Sequence, residues 1–226
     1  MHILLVYSNT FTLLWPQPAG LSYVARAARE AGHRVEVVDL MFEKDPEAVL
    51  DAALASRPWD LVGLSLRNLD TADPNDSRSF VDEHAARVAR AMAVAPTVIG
   101  GPAVTAAPEA MLRRTGATWA IAGQAERCFP RFLDEVAVGV ASFATPGVLW
   151  REGEAIRSNP AGSRRSHPGN RLERDRHQEI QASIHGLWIG HQERLSPPLH
   201  LLRRTPHGRS LLRGPRARGH RGGSSA

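Results

Sequence analysis

Four places in this sequence follow a short apolar run with glycine, proline or small polar residues, and these carry its candidate chemistry. The run Ile3-Leu4-Leu5-Val6-Tyr7 delivers Ser8, Asn9 and Thr10, then Pro16, Pro18 and Gly20, with Leu21 at the head of the next segment. Leu61 to Leu64 delivers Ser65, Arg67 and Asn68; Thr97 to Ile99 delivers Gly100, Gly101 and Pro102; Trp119 to Ala122 delivers Gly123, Gln124, Ala125 and Glu126. Glycines after three of the four runs let a large, flat ligand approach the backbone closely. One glycine at such a place is ordinarily a tight turn. Several on one edge point to a binding surface. A side chain at Gly101 is expected to intrude on the ligand while leaving the fold largely intact.

Other chemistries are disfavoured by what the sequence lacks. There is no G-x-G-x-x-G after the first apolar run and no G-x-x-x-x-G-K-[ST], so neither a dinucleotide nor a P-loop nucleotide is indicated. No aspartate ends the first or third run to serve as a phosphate acceptor, and no G-x-S-x-G elbow exists. The single cysteine, Cys128, excludes disulfides and an all-cysteine iron–sulfur site within the chain. Beside Phe129 and without a nearby histidine, it reads as a buried small residue. His2, His33 and His84 are scattered; two are expected at the surface and one packed on or capping a helix.

The elements that must position these residues alternate in type. Each apolar run has the continuous pattern of a strand covered on both faces, and Val35 to Leu40 adds another. Between them lie helical patterns: Leu21, Val24, Ala25, Ala28 and Ala31, stopped by Gly32; Pro46 to Ser56; Phe80, Val81, His84, Val88 and Met92; Pro108 to Gly116; and Arg127 to Val136. Five successive β–α units predict an α/β, flavodoxin-like (Rossmann-like), doubly wound, five-stranded parallel sheet over residues 1–137, with strand order 2-1-3-4-5. Ligands of such sheets bind outside the carboxyl ends of the strands, where the candidate residues fall. Residues 138–160 are expected as a linker with a small hairpin turning near Glu152-Gly153.

Charge separates the rest of the chain from this domain. The 226 residues carry a net charge of +5, but residues 161–226 hold 13 arginines against 4 acids, while residues 1–160 are net negative. The tail shows no sustained period and is rich in Arg, His, Pro, Gly and Ser, a composition expected to be disordered. No apolar run reaches 18 residues and no signal-peptide pattern opens the chain. A soluble, cytoplasmic protein without membrane contact is expected.

Pro18-Ala-Gly20-Leu21-Ser-Tyr23 through Gly32-His33, Val35 to Leu40, Asp60 to Asn68, Val98 to Thr105 and Gly123-Gln-Ala-Glu126 together resemble, in order and spacing, the B12-binding domain of cobalamin-dependent radical SAM proteins. The resemblance covers about residues 1–160. It implies a domain that holds cobalamin beside a radical SAM barrel, commonly for methyl transfer or a radical rearrangement. It further implies that Ser65 and Gly100 to Pro102 meet the nucleotide tail or corrin edge, with the Ser8–Gly20 loop over the ring. The D-x-H-x-x-G motif that supplies a histidine to cobalt is absent, so base-off cobalamin without a histidine ligand is expected. The [4Fe–4S] cluster and S-adenosylmethionine would belong only to a full-length parent, because the family's C-x-x-x-C-x-x-C triplet is missing.

The tail nevertheless contains Leu195-x-x-x-Leu199-x-x-Leu202. A CTG leucine codon followed by the pyrimidine of Ser196, His200 or Arg203 reads as cysteine one base later, and Arg194 as CGG becomes glycine. One lysine against 27 arginines fits a GC-rich gene. An out-of-frame translation of the start of the barrel is the favoured reading of residues after about 160, ahead of an authentic disordered basic tail and a coincidence of three leucines. Such a chain is expected to bind cobalamin without turnover. Two other functions are compatible with parts of the sequence. One is a flavodoxin-like module for another flat or nucleotide cofactor. The other is a nucleic-acid adaptor, disfavoured because the arginines lack interleaved aromatics beyond Trp188 and would give only nonspecific phosphate contact.

Overall fold

The runs beginning at Ile3, Leu61 and Thr97 are buried on both faces, which a central sheet with helices above and below provides, whereas the Val35 run forms an edge strand with Glu36 and Val37 exposed. The computed structural model describes residues 1–11 and 17–162. Its strands are β1 (His2–Tyr7), β2 (Arg34–Asp39), β3 (Leu61–Ser65), β4 (Thr97–Gly100), β5 (Trp119–Ile121), β6 (Val148–Glu152) and β7 (Ala155–Ser158). They form one sheet in the order β2-β1-β3-β4-β5-β6-β7. The first five are parallel and in the expected order.

The expectation of five strands needs one correction. The hairpin turns at the expected place, but it is no appendage: β6 pairs antiparallel with β5, and β7 with β6. Its inner residues Val148, Leu149 and Trp150 are buried and would otherwise leave the three-residue β5 as an open edge. A chain of rings fastens it: Trp119 lies 5.5 Å from Phe132, Phe132 5.6 Å from Phe143, and Phe143 5.6 Å from Trp150.

The helices are α1 (Ala19–Glu30), α2 (Pro46–Ala55), α3 (Val81–Met92), α4 (Pro102–Ala106), α5 (Pro108–Thr115) and α6 (Ala125–Ala137). Strand residues alternate between the two faces. Leu4, Val6, Val62, Leu64 and Ile99 pack with α2, α3, α4 and α5. Ile3, Leu5, Tyr7, Val98 and Ile121 pack with α1 and α6, which lie against each other. Local signals set several boundaries: the Asp45 carboxylate accepts from the Ala48 amide at 3.0 Å before Pro46 opens α2. The five-residue α4 was not anticipated. Among the described residues no helix is long and apolar enough to cross a membrane. Residues 163–226, on which the readings of the tail fall, lie outside the described residues.

Candidate functional site

At the carboxyl edge of the sheet, on the α1 and α6 side, a cleft of about 720 Å³ opens between the strands and the two helices. It gathers Pro18, Gly20 and Leu21 from the start of α1, Ser65 and Arg67 after β3, Gly100, Gly101 and Pro102 after β4, and Gly123, Gln124 and Glu126 after β5. These residues belong to four chain segments, and parallel pairing sets their strand ends side by side. Among the described residues, Arg67 and Glu126 are the charged ones lining it.

Ser8, Asn9, Thr10 and Asn68, expected at the same surface, are turned to another task. The Ser8 hydroxyl donates to the Ser65 carbonyl at 3.0 Å, and the Thr10 hydroxyl donates to Glu83 at 2.7 Å. Asn68 donates to the Asn9 side chain at 3.2 Å. Behind them sits Arg87, only 2% exposed. It donates to the Ser8 carbonyl at 2.5 Å and pairs with Glu47 at 2.8 Å and Glu83 at 2.7 Å. These four residues thus brace the chain leaving β1 against α2 and α3. The brace reaches the cleft through Tyr7, whose phenol is hydrogen-bonded by Asn9 and Arg67; burial raises its pKa, and the Arg67 charge opposes the rise.

Gly101 has φ +99° and ψ −179°, a conformation left almost wholly to glycine. A Cβ there would stand 2.6 Å from the Leu66 carbonyl oxygen. The expectation of a tolerated side chain at Gly101 is therefore overturned: the clash is with the protein's own backbone. Gly100 is the open position, since a Cβ there would meet only the Ile121 carbonyl oxygen, at 3.6 Å. Thr105 bridges two loops at the mouth, donating to the Gly101 carbonyl at 3.0 Å and accepting from the Gly123 amide at 3.0 Å.

Sequence reasoning missed the floor of the cleft, formed by Leu5, Gly63, Val98 and Ile121 with Val24 and Phe129 from the helices. Apolar strand residues carry no mark that separates a ligand wall from ordinary core. Gly63, a glycine inside a strand, is the one signal that could have found it.

The buried histidine is His84, whose Nε2 donates to the Asn68 carbonyl at 2.8 Å. Burial lowers its pKa, opposed by that hydrogen bond and by Glu83. Among the described residues no histidine lines the cleft. The Cys128 thiol, pushed up to about 11 by burial and by Glu126, is unsuited to nucleophilic work.

Known proteins share this architecture. A tryptophan 2-C-methyltransferase of Streptomyces laurentii is 30% identical over 142 residues, covering 60% of this chain and 24% of that enzyme. The structure of the radical S-adenosylmethionine methyltransferase TsrM from Kitasatospora setae, with cobalamin and a [4Fe-4S] cluster bound, matches 75% of this chain and 30% of that one, at 26% identity and a TM-score of 0.66. The cobalamin-dependent S-adenosylmethionine radical enzyme OxsB, bound to aqua-cobalamin and S-adenosylmethionine, shares the fold over 72% of this chain and 22% of its own, at 15% identity and a TM-score of 0.54. This chain thus spans less than a third of the length of these relatives. The family model for the B12 binding domain matches residues 10–133, more than half of the sequence, and the chain belongs to that family.

Proposed function

We propose that the chain binds cobalamin in the base-off state, with its nucleotide tail in the cleft and its corrin edge over Gly100 to Pro102. The observation that carries this is the shape of the site. A flat, wide ligand needs edges without side chains, and Gly100 at the end of β4 and Gly20 in the first turn of α1 offer that: a Cβ at Gly20 would meet nothing within 4 Å. The residues present fit the cofactor. Apolar walls suit an aromatic base, while Ser65, Arg67, Thr105 and Gln124 at the rim offer hydrogen bonds to the amides and phosphate of the tail. Arg67 is the cation of the rim. Among the described residues the lining holds no histidine, in keeping with cobalt without a protein imidazole. When bound, cobalamin supplies cobalt-centred methyl-carrier or radical chemistry; the residues of this chain bind and orient it.

A [4Fe–4S] cluster and S-adenosylmethionine belong, on this reading, to a full-length parent. The corresponding partner here is a radical SAM barrel of a full-length parent. This chain then binds cobalamin without turning substrate over, in the cytoplasm, and with no specific nucleic acid or membrane. The organisation that accompanies this reading is a cobalamin-binding unit ending near residue 160, followed by a tail read out of frame.

The test is a titration of the full chain with hydroxocobalamin, followed by gel filtration and absorbance spectroscopy. Corrinoid should co-elute with protein and show a base-off spectrum. Loss of all corrinoid on the column overturns the reading, and retention of a flavin or nucleotide instead would replace it. An imidazole-ligated spectrum overturns only the absence of a histidine ligand.

A further inference from the structure

The sheet register divides the cleft into two layers of different chemistry. Tyr7, Ser65 and Gly100 are mutually paired positions at the carboxyl edge. Two residues further in, Leu5, Gly63 and Val98 form the next row on the same face. The rim is polar and the inner row is wholly apolar. Val24 and Phe129 close the space from the helix side, and a Cβ at Gly63 would come within 2.6 Å of the Leu5 Cδ2. Backbone groups of this inner row are committed to the ladders of the sheet on both sides, so the floor has no spare donor or acceptor.

From this layering we propose that the cleft selects among corrinoids by the lower base, accepting an apolar benzimidazole and discriminating against a purine. The inference rests on the proposed cobalamin binding and extends it to the class of cobamide. A dimethylbenzimidazole released from cobalt brings one free ring nitrogen and two methyl groups. An adenine in its place brings two further ring nitrogens and an exocyclic amine, and the inner row has no side chain to pair with any of them. Leaving such groups buried and unpaired lowers affinity by about ten- to hundredfold. Discrimination of this kind comes from unmet hydrogen bonds rather than from size.

The experiment measures binding of the full wild-type chain to cobalamin, to an adenine-bearing cobamide and to cobinamide, which lacks the nucleotide tail. Spectroscopic titration and equilibrium dialysis supply the readouts. Cobalamin should bind about ten- to hundredfold more tightly than the adenine cobamide, with cobinamide also weaker than cobalamin. Equal affinity for the two complete cobamides overturns base selection while leaving corrinoid binding intact. Cobinamide binding as tightly as cobalamin shows that the tail gains nothing from the cleft and likewise overturns it. Failure of all three to bind overturns the proposed function itself.

Discussion

Adjacent glycines at the end of β4 should respond in opposite ways to substitution. Gly101→Ala places a β-carbon on a backbone with φ +99° that non-glycine residues rarely adopt, a cost of about 1–3 kcal/mol. The same carbon would lie 2.6 Å from the Leu66 carbonyl oxygen and 3.1 Å from its nitrogen. Leu66 cannot yield freely. Its amide donates to the Gly100 carbonyl at 2.8 Å and its carbonyl accepts from the Ala103 amide at 3.1 Å. Weakening these two bonds adds about 0.5–1.5 kcal/mol each, so the total loss is about 2–6 kcal/mol. For a domain of this size, the midpoint of about 4 kcal/mol lowers the melting temperature by roughly 8–16 °C. Gly100→Val has no such strain: its Cβ meets only a carbonyl at 3.6 Å. It should melt within about 2 °C of wild type, yet lose cobalamin because its methyl groups project into the cleft. Thermal unfolding of the ligand-free full chain, paired with gel filtration after adding hydroxocobalamin, reads both effects. A Gly101→Ala protein that melts with wild type would refute the strain argument. A Gly100→Val protein that retains full affinity would refute the placement of the ligand on this edge.

Arg87→Met should destabilise the domain by about 2–3 kcal/mol, seen as a lower urea midpoint. It strips Glu47, Glu83 and the Ser8 carbonyl of their buried partner, and the part-exposure of both glutamates keeps the loss below that of a fully buried charge. His84 should make stability depend on pH. Burial depresses its folded pKa, so the unfolded chain takes up the proton first; stability is full above about pH 6.5 and falls as pH drops below it. Melting curves between pH 7.5 and 5.5 should show this fall, and His84→Gln should remove much of it. The reading of the tail as out of frame is checked at the gene: shifting the frame near codon 160 should yield Gly-Cys-x-x-x-Cys-x-x-Cys at positions 194 to 202 and a long open frame. Codons at 195, 199 and 202 that cannot give cysteine would end it.

The order of strands and helices, and the ends of the strands as the place for a ligand, follow from the sequence because their causes are local. Continuous apolar runs such as Ile3 to Tyr7 and Leu61 to Leu64 need two covered faces, and caps such as Asp45-Pro46 mark helix starts wherever they occur. Eleven of the fifteen candidate residues line the cleft for this reason: parallel strands necessarily bring their carboxyl ends to one edge. Tertiary structure decided the rest. Which way a residue faces at the end of a strand changes with a single step along the chain, so Tyr7 lines the cleft while Ser8 turns into the brace around Arg87. Glu83 stands one turn before Arg87, but such pairs are common on exposed helix faces; its burial depends on Glu47 and the Ser8 carbonyl, which come from distant segments. Leu5, Val98 and Ile121 look like any core residue until α1 and α6 leave a gap above them. The hairpin likewise could be seen to turn, but only the exposed edge of β5 and the rings of Trp119, Phe132 and Phe143 decided that it would complete the sheet.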